Sequence, residues 1–264
     1  MAPDCCRALL HDPRLAWAIV SISLAGVMRG ATGFGQALIF VPLAGLAYPP
    51  SVAVPLLWLV DAMVTPFLLR PHLRRLRAAQ PAERAEIAPL AVGGIILLPA
   101  GVWVLKHLDP VLLRWTICGL VLLMTAAIAA GWRLQVAATW RWSLGVGSLS
   151  GLAGGATGMS GPPLILFWLG RNTDAGLIRS NIFLYLWVNV LASLAVAARD
   201  GLLSRPLLLI GLVMAPAYAL ATLAGNVAFH RAINRPAQHR EALFRRLALG
   251  LCAASACVGL PIWH

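Results

Sequence analysis

Carboxylates are scarce in this sequence: nine Asp and Glu stand against 21 Lys and Arg in 264 residues. Only Asp61 falls well inside an apolar stretch. Catalysis by paired carboxylates and acid-liganded metal transport therefore lack their residues. The signatures of metalloproteases and of serine hydrolases, HExxH and GxSxG, are also missing. The five cysteines (Cys5, Cys6, Cys118, Cys252, Cys257) form no CxxC pair, and three sit in apolar segments, as small buried hydrophobes would. His72, His107, His230 and His239 fall in or near polar connections and make no metal-ligand cluster. No metal and no cofactor are expected.

Long polar stretches are missing too. The longest are Arg70–Arg84 and Arg231–Glu241, so no soluble domain is expected. With 60% hydrophobic residues, 11% charged residues and a mean hydropathy of +0.81, a water-soluble fold is excluded in practice. A membrane helix needs ~20 apolar residues. Candidates centre on Ser51–Leu69, Ile87–Leu105, Val111–Gly131, Leu177–Ala197, Pro206–Phe229 and Phe244–Ile262. The start, Met1 to Arg14, carries no cleavable signal pattern, so the first apolar segment is expected to be retained. The net charge of +12 invites a nucleic-acid reading. The arginines lie in short loops beside apolar segments, where positive-inside bias explains them more simply, so no nucleic acid is expected as a partner.

What the chain does have is a repeated interruption. Gly30-Ala31-Thr32-Gly33 recurs as Gly155-Ala156-Thr157-Gly158, each inside a long apolar stretch, at about 15–46 and 142–169. Breaks at membrane depth persist only where they line a cavity or pack against protein. Paired breaks at matching positions of two halves point to a transporter's substrate site. A second match at nearly the same spacing joins Gly101–Lys106 to Gly225–His230, which argues for duplication. The expected organisation is one all-α transmembrane domain of two repeats, 1–132 and 133–264. Each repeat is a Gly-broken re-entrant hairpin plus three spans, about eight membrane segments in all.

The basic residues bear on topology. If both interrupted stretches cross once, Lys and Arg divide almost evenly between the faces. If each returns as a hairpin, with two legs of about 14 residues, the loops 70–84, 133–141, 171–179 and 231–246 gather most of them on one face. The second half is then inverted. A hairpin in the second stretch alone fits the charges as well, so the first hairpin rests on the repeat. The alternative is two kinked helices.

These motifs are similar to those of the sulfite exporter TauE/SafE family. The resemblance is carried by Gly26-Val27-Met28-Arg29-Gly30-Ala31-Thr32-Gly33-Phe34-Gly35 and by the stretch from Gly151 to Pro163. The connection Leu105-Lys106-His107-Leu108-Asp109-Pro110 and the basic run Phe244-Arg245-Arg246 add to it. It implies a secondary transporter of small anions, sulfur oxyanions or organosulfonates, in the inner membrane. The chain departs from the family pattern where Phe34-Gly35-Gln36 and Met159-Ser160-Gly161 replace glycine runs, and at Pro162-Pro163. These positions bear on the substrate more than on the fold.

Candidate residues follow from what a dehydrated anion needs. Gly30, Gly33, Gly35, Gly155, Gly158 and Gly161 expose backbone N–H groups at helix breaks, and Thr32, Thr157 and Ser160 offer hydroxyls. Close helix packing is the competing role for the same small residues. Arg29, beside the first break, has the bidentate fork that suits an oxyanion, or snorkels to an interface. Its partner in the repeat is Gly154. Asp61 is the candidate for proton coupling or for an ion pair with Arg29. Asn181, Asn189 and Asn226 are pathway candidates, with interhelical hydrogen bonding as the alternative. The expected partners are the lipid bilayer and a small anionic substrate; oligomeric state stays open. An anion channel and a divalent-metal permease are the alternatives, the first short of a polar lining and the second short of acids.

Overall fold

The computed structural model describes residues 13–78, 87–132, 139–169, 175–233 and 238–262. Every regular element among them is a helix. In chain order they are α1 (Pro13–Thr32), α2 (Gln36–Ala44), α3 (Pro50–Ala78), α4 (Ile87–His107), α5 (Pro110–Ala129), α6 (Trp140–Thr157), α7 (Gly161–Leu169), α8 (Ala175–Arg199), α9 (Arg205–Ile233) and α10 (Gln238–Gly259). Proline opens α1, α3 and α5, where its missing N–H costs nothing. Asp109 caps α5 by accepting from the Val111 and Leu112 amides at 2.9 and 3.1 Å.

Six helices, α1, α3, α4, α5, α8 and α9, contain segments long and apolar enough to cross a membrane. Leucine and valine side chains cover much of their outward surface. Exposed tryptophans stand near helix ends, among them Trp103, Trp132 and Trp140. Aromatic rings of this kind anchor at membrane–water interfaces.

The structure corrects several sequence expectations. The hairpin legs are unequal: 20 and 9 residues around the first break, 18 and 9 around the second. The long first legs are favoured because their small-residue stripes pack along a neighbouring helix. α3 runs on to Ala78, so His72 is helical and lies outside any loop. The last segment, expected over 244–262, lies in the helix Gln238–Gly259, which includes the apolar stretch Leu249–Gly259. The expectation about Met1–Arg14 lies mostly outside the described residues.

Two helix pairs dominate the packing, α4 with α6 and α1 with α9. Glycine makes both possible. A Cβ on Gly147, Gly151 or Gly155 of α6 would collide with the backbone of Leu90, Gly94 or Leu98 on α4. On the other pair, Gly26 and Gly30 of α1 lie against the carbonyls of Tyr218 and Thr222 on α9. Stripes of this kind let membrane helices pack at backbone distance. The register repeats. Gly30 and Gly155 are 125 apart, and the residues they touch, Thr222 and Leu98, are 124 apart.

Candidate functional site

The first break forms because α1 cannot continue through Gly33. Gly33 has φ 86° and Gly35 φ 89°, backbone that glycine adopts without strain. The chain then reverses. Near the other end of the hairpin, Trp17 Nε1 on α1 donates to the Leu43 carbonyl on α2 at 2.8 Å. The first stretch is therefore a hairpin, with α2 returning alongside α1. In the second half α6 ends at Gly158 (φ 76°), and α7 starts three residues later against α6. The two breaks meet. Phe34, Gly35, Gln36 and Leu38 face Gly158, Met159, Gly161 and Pro162 around a void of about 10 Å³. That is room for one water at most.

Arg29 is wholly buried beside the first break. Its Nη2 lies 3.4 Å from Asp61 Oδ2, and the carboxylate is 1% exposed. Nη2 also donates to Thr65 Oγ1 at 3.2 Å. Nη1 donates to Gln36 Oε1 at 3.2 Å and reaches the Gly33 carbonyl at 3.4 Å. Asp61 Oδ1 accepts from Thr65 Oγ1 at 3.0 Å and from the Tyr218 hydroxyl at 2.9 Å. Arg29 Nε and Asp61 Oδ2 make no hydrogen bond with the described residues. The pair is thus held from all sides, yet the guanidinium edge facing the carboxylate is only loosely engaged. Burying two charges is costly unless they are paired and hydrogen-bonded, which makes this cluster the electrostatic centre of the protein.

A cavity of about 210 Å³ opens next to it, lined by Gly30, His72, Arg179, Phe183, Thr222 and Asn226, with Phe67, Leu68 and Leu223 at its apolar side. Arg179 Nη2 donates to the Gly30 carbonyl at 2.6 Å and to Asn226 Oδ1 at 3.2 Å. His72 stacks on Phe183 with centroids 4.3 Å apart, and its Nδ1 lies 3.1 Å from Ser180 Oγ. Phe183 sits between the charges: Arg29 Cζ is 4.8 Å and Arg179 Cζ 5.9 Å from its ring centroid. Such cation–ring contacts let two like charges share a neighbourhood. Two arginines and a histidine converge here, and Asp61 lies behind Arg29.

The expected site residues separate into groups. Arg29, Gly33 and Asp61 meet at the first break, and the Gly30 carbonyl and Asn226 join the cavity through Arg179. Gly30 and Gly155 are primarily points of backbone contact between helices. The Thr157 hydroxyl is taken up by its own helix at the Ala153 carbonyl, 2.7 Å away. The Thr32 hydroxyl, by contrast, lies 2.8 Å from the Met28 carbonyl and 2.6 Å from the Phe34 carbonyl in the break, and accepts from the Phe34 amide at 3.3 Å. Gly35 and Gly161 line the void between the breaks. Ser160 Oγ donates to Asn189 Oδ1 at 2.8 Å, and the Ser160 carbonyl accepts from Ser150 Oγ. Asn189 Nδ2 and Asn181 Oδ1 are buried without a hydrogen-bond partner among the described residues.

Arg179, His72, Phe183, Gln36, Thr65 and Tyr218 were not among the sequence candidates. Arg179 and His72 read as loop-flanking charges, because nothing local shows that α3 and α8 bring them together. Gln36 had a signal: it is a polar residue directly after the break, where the family pattern has glycine.

A chain whose described elements are all helices, six of them long and apolar enough to span, with an ion pair buried among them, is a multi-pass membrane protein. The sulfite exporter TauE/SafE family profile matches residues 18–258, nearly the whole chain, and the protein belongs to that family. No curated protein and no solved structure matches it significantly.

Proposed function

We propose that the protein is a secondary transporter of small anions, sulfur oxyanions or organosulfonates, working in the inner membrane by alternating access. The observation that carries this reading is Arg29: a fully buried guanidinium at a broken helix, next to a cavity that holds Arg179 and His72. Ionisable groups at membrane depth are expensive and mark pathways, and a guanidinium can hold a sulfonate or sulfite bidentately. The void of about 10 Å³ between the breaks supports alternating access over an open pore.

In this reading the anion enters through the cavity, meets Arg179, passes Phe183 and reaches Arg29. Asp61 then acts as a tethered competitor for the same guanidinium. An arriving anion displaces the carboxylate, and a proton neutralises it, so anion and proton move together. The backbone N–H groups around Gly33 and Gly35 complete the donors on the first hairpin. On the second, Pro162 and Pro163 remove amide donors from the start of α7, leaving the Gly161 amide with Ser160 and Asn189 to offer polar groups.

The inverted arrangement of the halves is supported by the paired registers of Gly30 and Gly155. It is further supported at the helix ends: His72 near the end of α3, Arg179 near the start of α8 and Asn226 near the end of α9 line one cavity. That end is assigned to the cytoplasm, because Arg74 and His72 near the end of α3 and Arg179 near the start of α8 make it basic.

The test is counterflow of labelled sulfite, thiosulfate, sulfoacetate and taurine in proteoliposomes, preceded by a thermal-shift screen with the same compounds, since binding to the folded state raises stability. Saturable counterflow of at least one sulfur anion is expected. Arg29→Gln should abolish it, and Arg29→Lys should keep only part because the fork is lost. Asp61→Asn should remove the pH dependence of net flux and spare exchange. Stabilisation by divalent cations alone would refute the anion reading.

A further inference from the structure

We infer that Arg114 forms a second anion-binding site, on the membrane face opposite the Arg179 cavity, built to take a sulfonate or similar oxyanion from that side. A cavity of about 260 Å³ lies between the turn after α2 and the start of α5, lined by Gly45, Leu46, Ala47, Tyr48, Pro49, Pro50, Pro110, Val111 and Arg114. Arg114 is its only charged group.

The guanidinium presents an unusual edge. Nε and Nη2 are both buried, and neither has a hydrogen-bond partner among the described residues. These two nitrogens form one side of the guanidinium, and their N–H bonds run parallel, the fork that binds two oxygens of one oxyanion. Leaving buried donors unpaired is costly, and the cost is greater for a charged group. The position adds to it, because Arg114 sits in the second turn of α5, near the positive end of the helix dipole. An anion in the cavity relieves both penalties once the side chain turns this edge toward it.

The described surroundings favour an anion. No carboxylate is among the described residues that line this cavity. The nearest acid in the adjoining cavity of about 270 Å³ is Asp109, whose Oδ1 is committed to two backbone amides of the α5 cap. That neighbouring space also carries Lys106 and His107. Lys106 Nζ donates to the Asp200 carbonyl at 3.0 Å, which places the end of α4 beside the end of α8.

The two cationic cavities are on opposite faces because one continuous helix joins them. Pro50, at the start of α3, lines the Arg114 cavity, and His72, near its end, lines the Arg179 cavity. Twenty-two steps of 1.5 Å separate these residues by roughly 33 Å, about the thickness of a bilayer's hydrocarbon core. The inference rests on the transport reading only in making this site one end of a path; anion binding at Arg114 stands or falls alone.

The experiment uses the full chain with its native cysteines replaced, retaining the parent's melting temperature, and a single cysteine at Val111, which is 53% exposed on the cavity wall. Modification by an anionic ethylsulfonate methanethiosulfonate and by its cationic trimethylammonium counterpart is timed in sealed vesicles. The anionic-to-cationic rate ratio should fall about tenfold in Arg114→Gln, with a smaller fall in Arg114→Lys, which keeps the charge and loses the fork. Ethanesulfonate should slow the anionic reagent in the parent. A cysteine at the exposed Arg74, at the far end of α3, should be modified only from the opposite side.

An unchanged ratio in both variants overturns the site. Slowing by anionic lipid with none by ethanesulfonate overturns the small-anion assignment in favour of a lipid headgroup. Labelling of both cysteines from one side overturns the placement. Counterflow in the same vesicles reports on the transport reading separately, so loss of one result leaves the other standing.

Discussion

At the first break the helix end carries Arg29, and around it stand Asp61 and Tyr218; at the second, the matching register carries Gly154, Asn189 and Gly94. Asp61 on α3 and Asn189 on α8 each stand four residues before a hydroxyl that bonds back, Thr65 to the Asp61 carboxylate and Ser193 to the Asn189 backbone carbonyl. Tyr218 and Gly94 are 124 apart and lie beside Gly26 and Gly151. Where the first half fills this space with a guanidinium, a carboxylate and a phenol, the second fills it with Tyr185 from α8, whose hydroxyl and the Asn189 amide crowd Gly94. One scaffold therefore supports two electrostatic solutions. Backbone contact is common to both halves, and charge belongs to one. The buried ion pair stands at the first break, and the described polar groups bonded at the second are neutral.

The largest effects should fall on what the halves share. Gly30→Val and Gly155→Val drive a branched side chain into a neighbouring backbone, so both should abolish recovery of folded protein from the membrane, to similar extents. A well-folded Gly155→Val protein would break the equivalence.

Next comes the asymmetry. Arg29→Ala or Asp61→Ala strands a buried charge and should cost about 3–5 kcal/mol, read as a lowered melting temperature in detergent. The double change Arg29→Met with Asp61→Leu should be much milder than the sum of the single ones. In the second half, Asn189→Ala should cost only about 1–2 kcal/mol, the scale of a lost neutral hydrogen bond. Equal costs in the two halves would dissolve the contrast.

The smallest effects test the threonines. Thr157→Val removes a hydroxyl that bonds within its own helix, so it should cost about 0.5–1.5 kcal/mol and leave counterflow close to normal. Thr32→Val also strips the Phe34 amide of its acceptor at the break and should cost more. A large loss of counterflow from Thr157→Val, with stability unchanged, would return the hydroxyl to the substrate path.

Some of this was legible in the chain. The helical class, most of the spans and the duplicated breaks follow from hydropathy and glycine spacing. So does the choice of Arg29 and Asp61, because a charge inside an apolar run is conspicuous wherever it occurs. The second-half glycines were legible as special positions and ambiguous in role: the same small residue serves an anion or a neighbouring helix, and only packing distinguishes them. Arg179 and His72 were illegible as site residues because they are 107 positions apart and flank loops, where arginine is ordinary.

By itself, then, the sequence determined a broken, duplicated membrane bundle with one cation and one acid set inside its apolar runs, since hydropathy and periodicity are local properties of the chain. Tertiary structure decided the pairing of Arg29 with Asp61 and the convergence of Arg179, His72 and Phe183. It also decided the unequal hairpin legs and the unpartnered edge of Arg114. Each depends on which helices touch and in what register, set by the collective packing of glycine stripes that no single segment encodes.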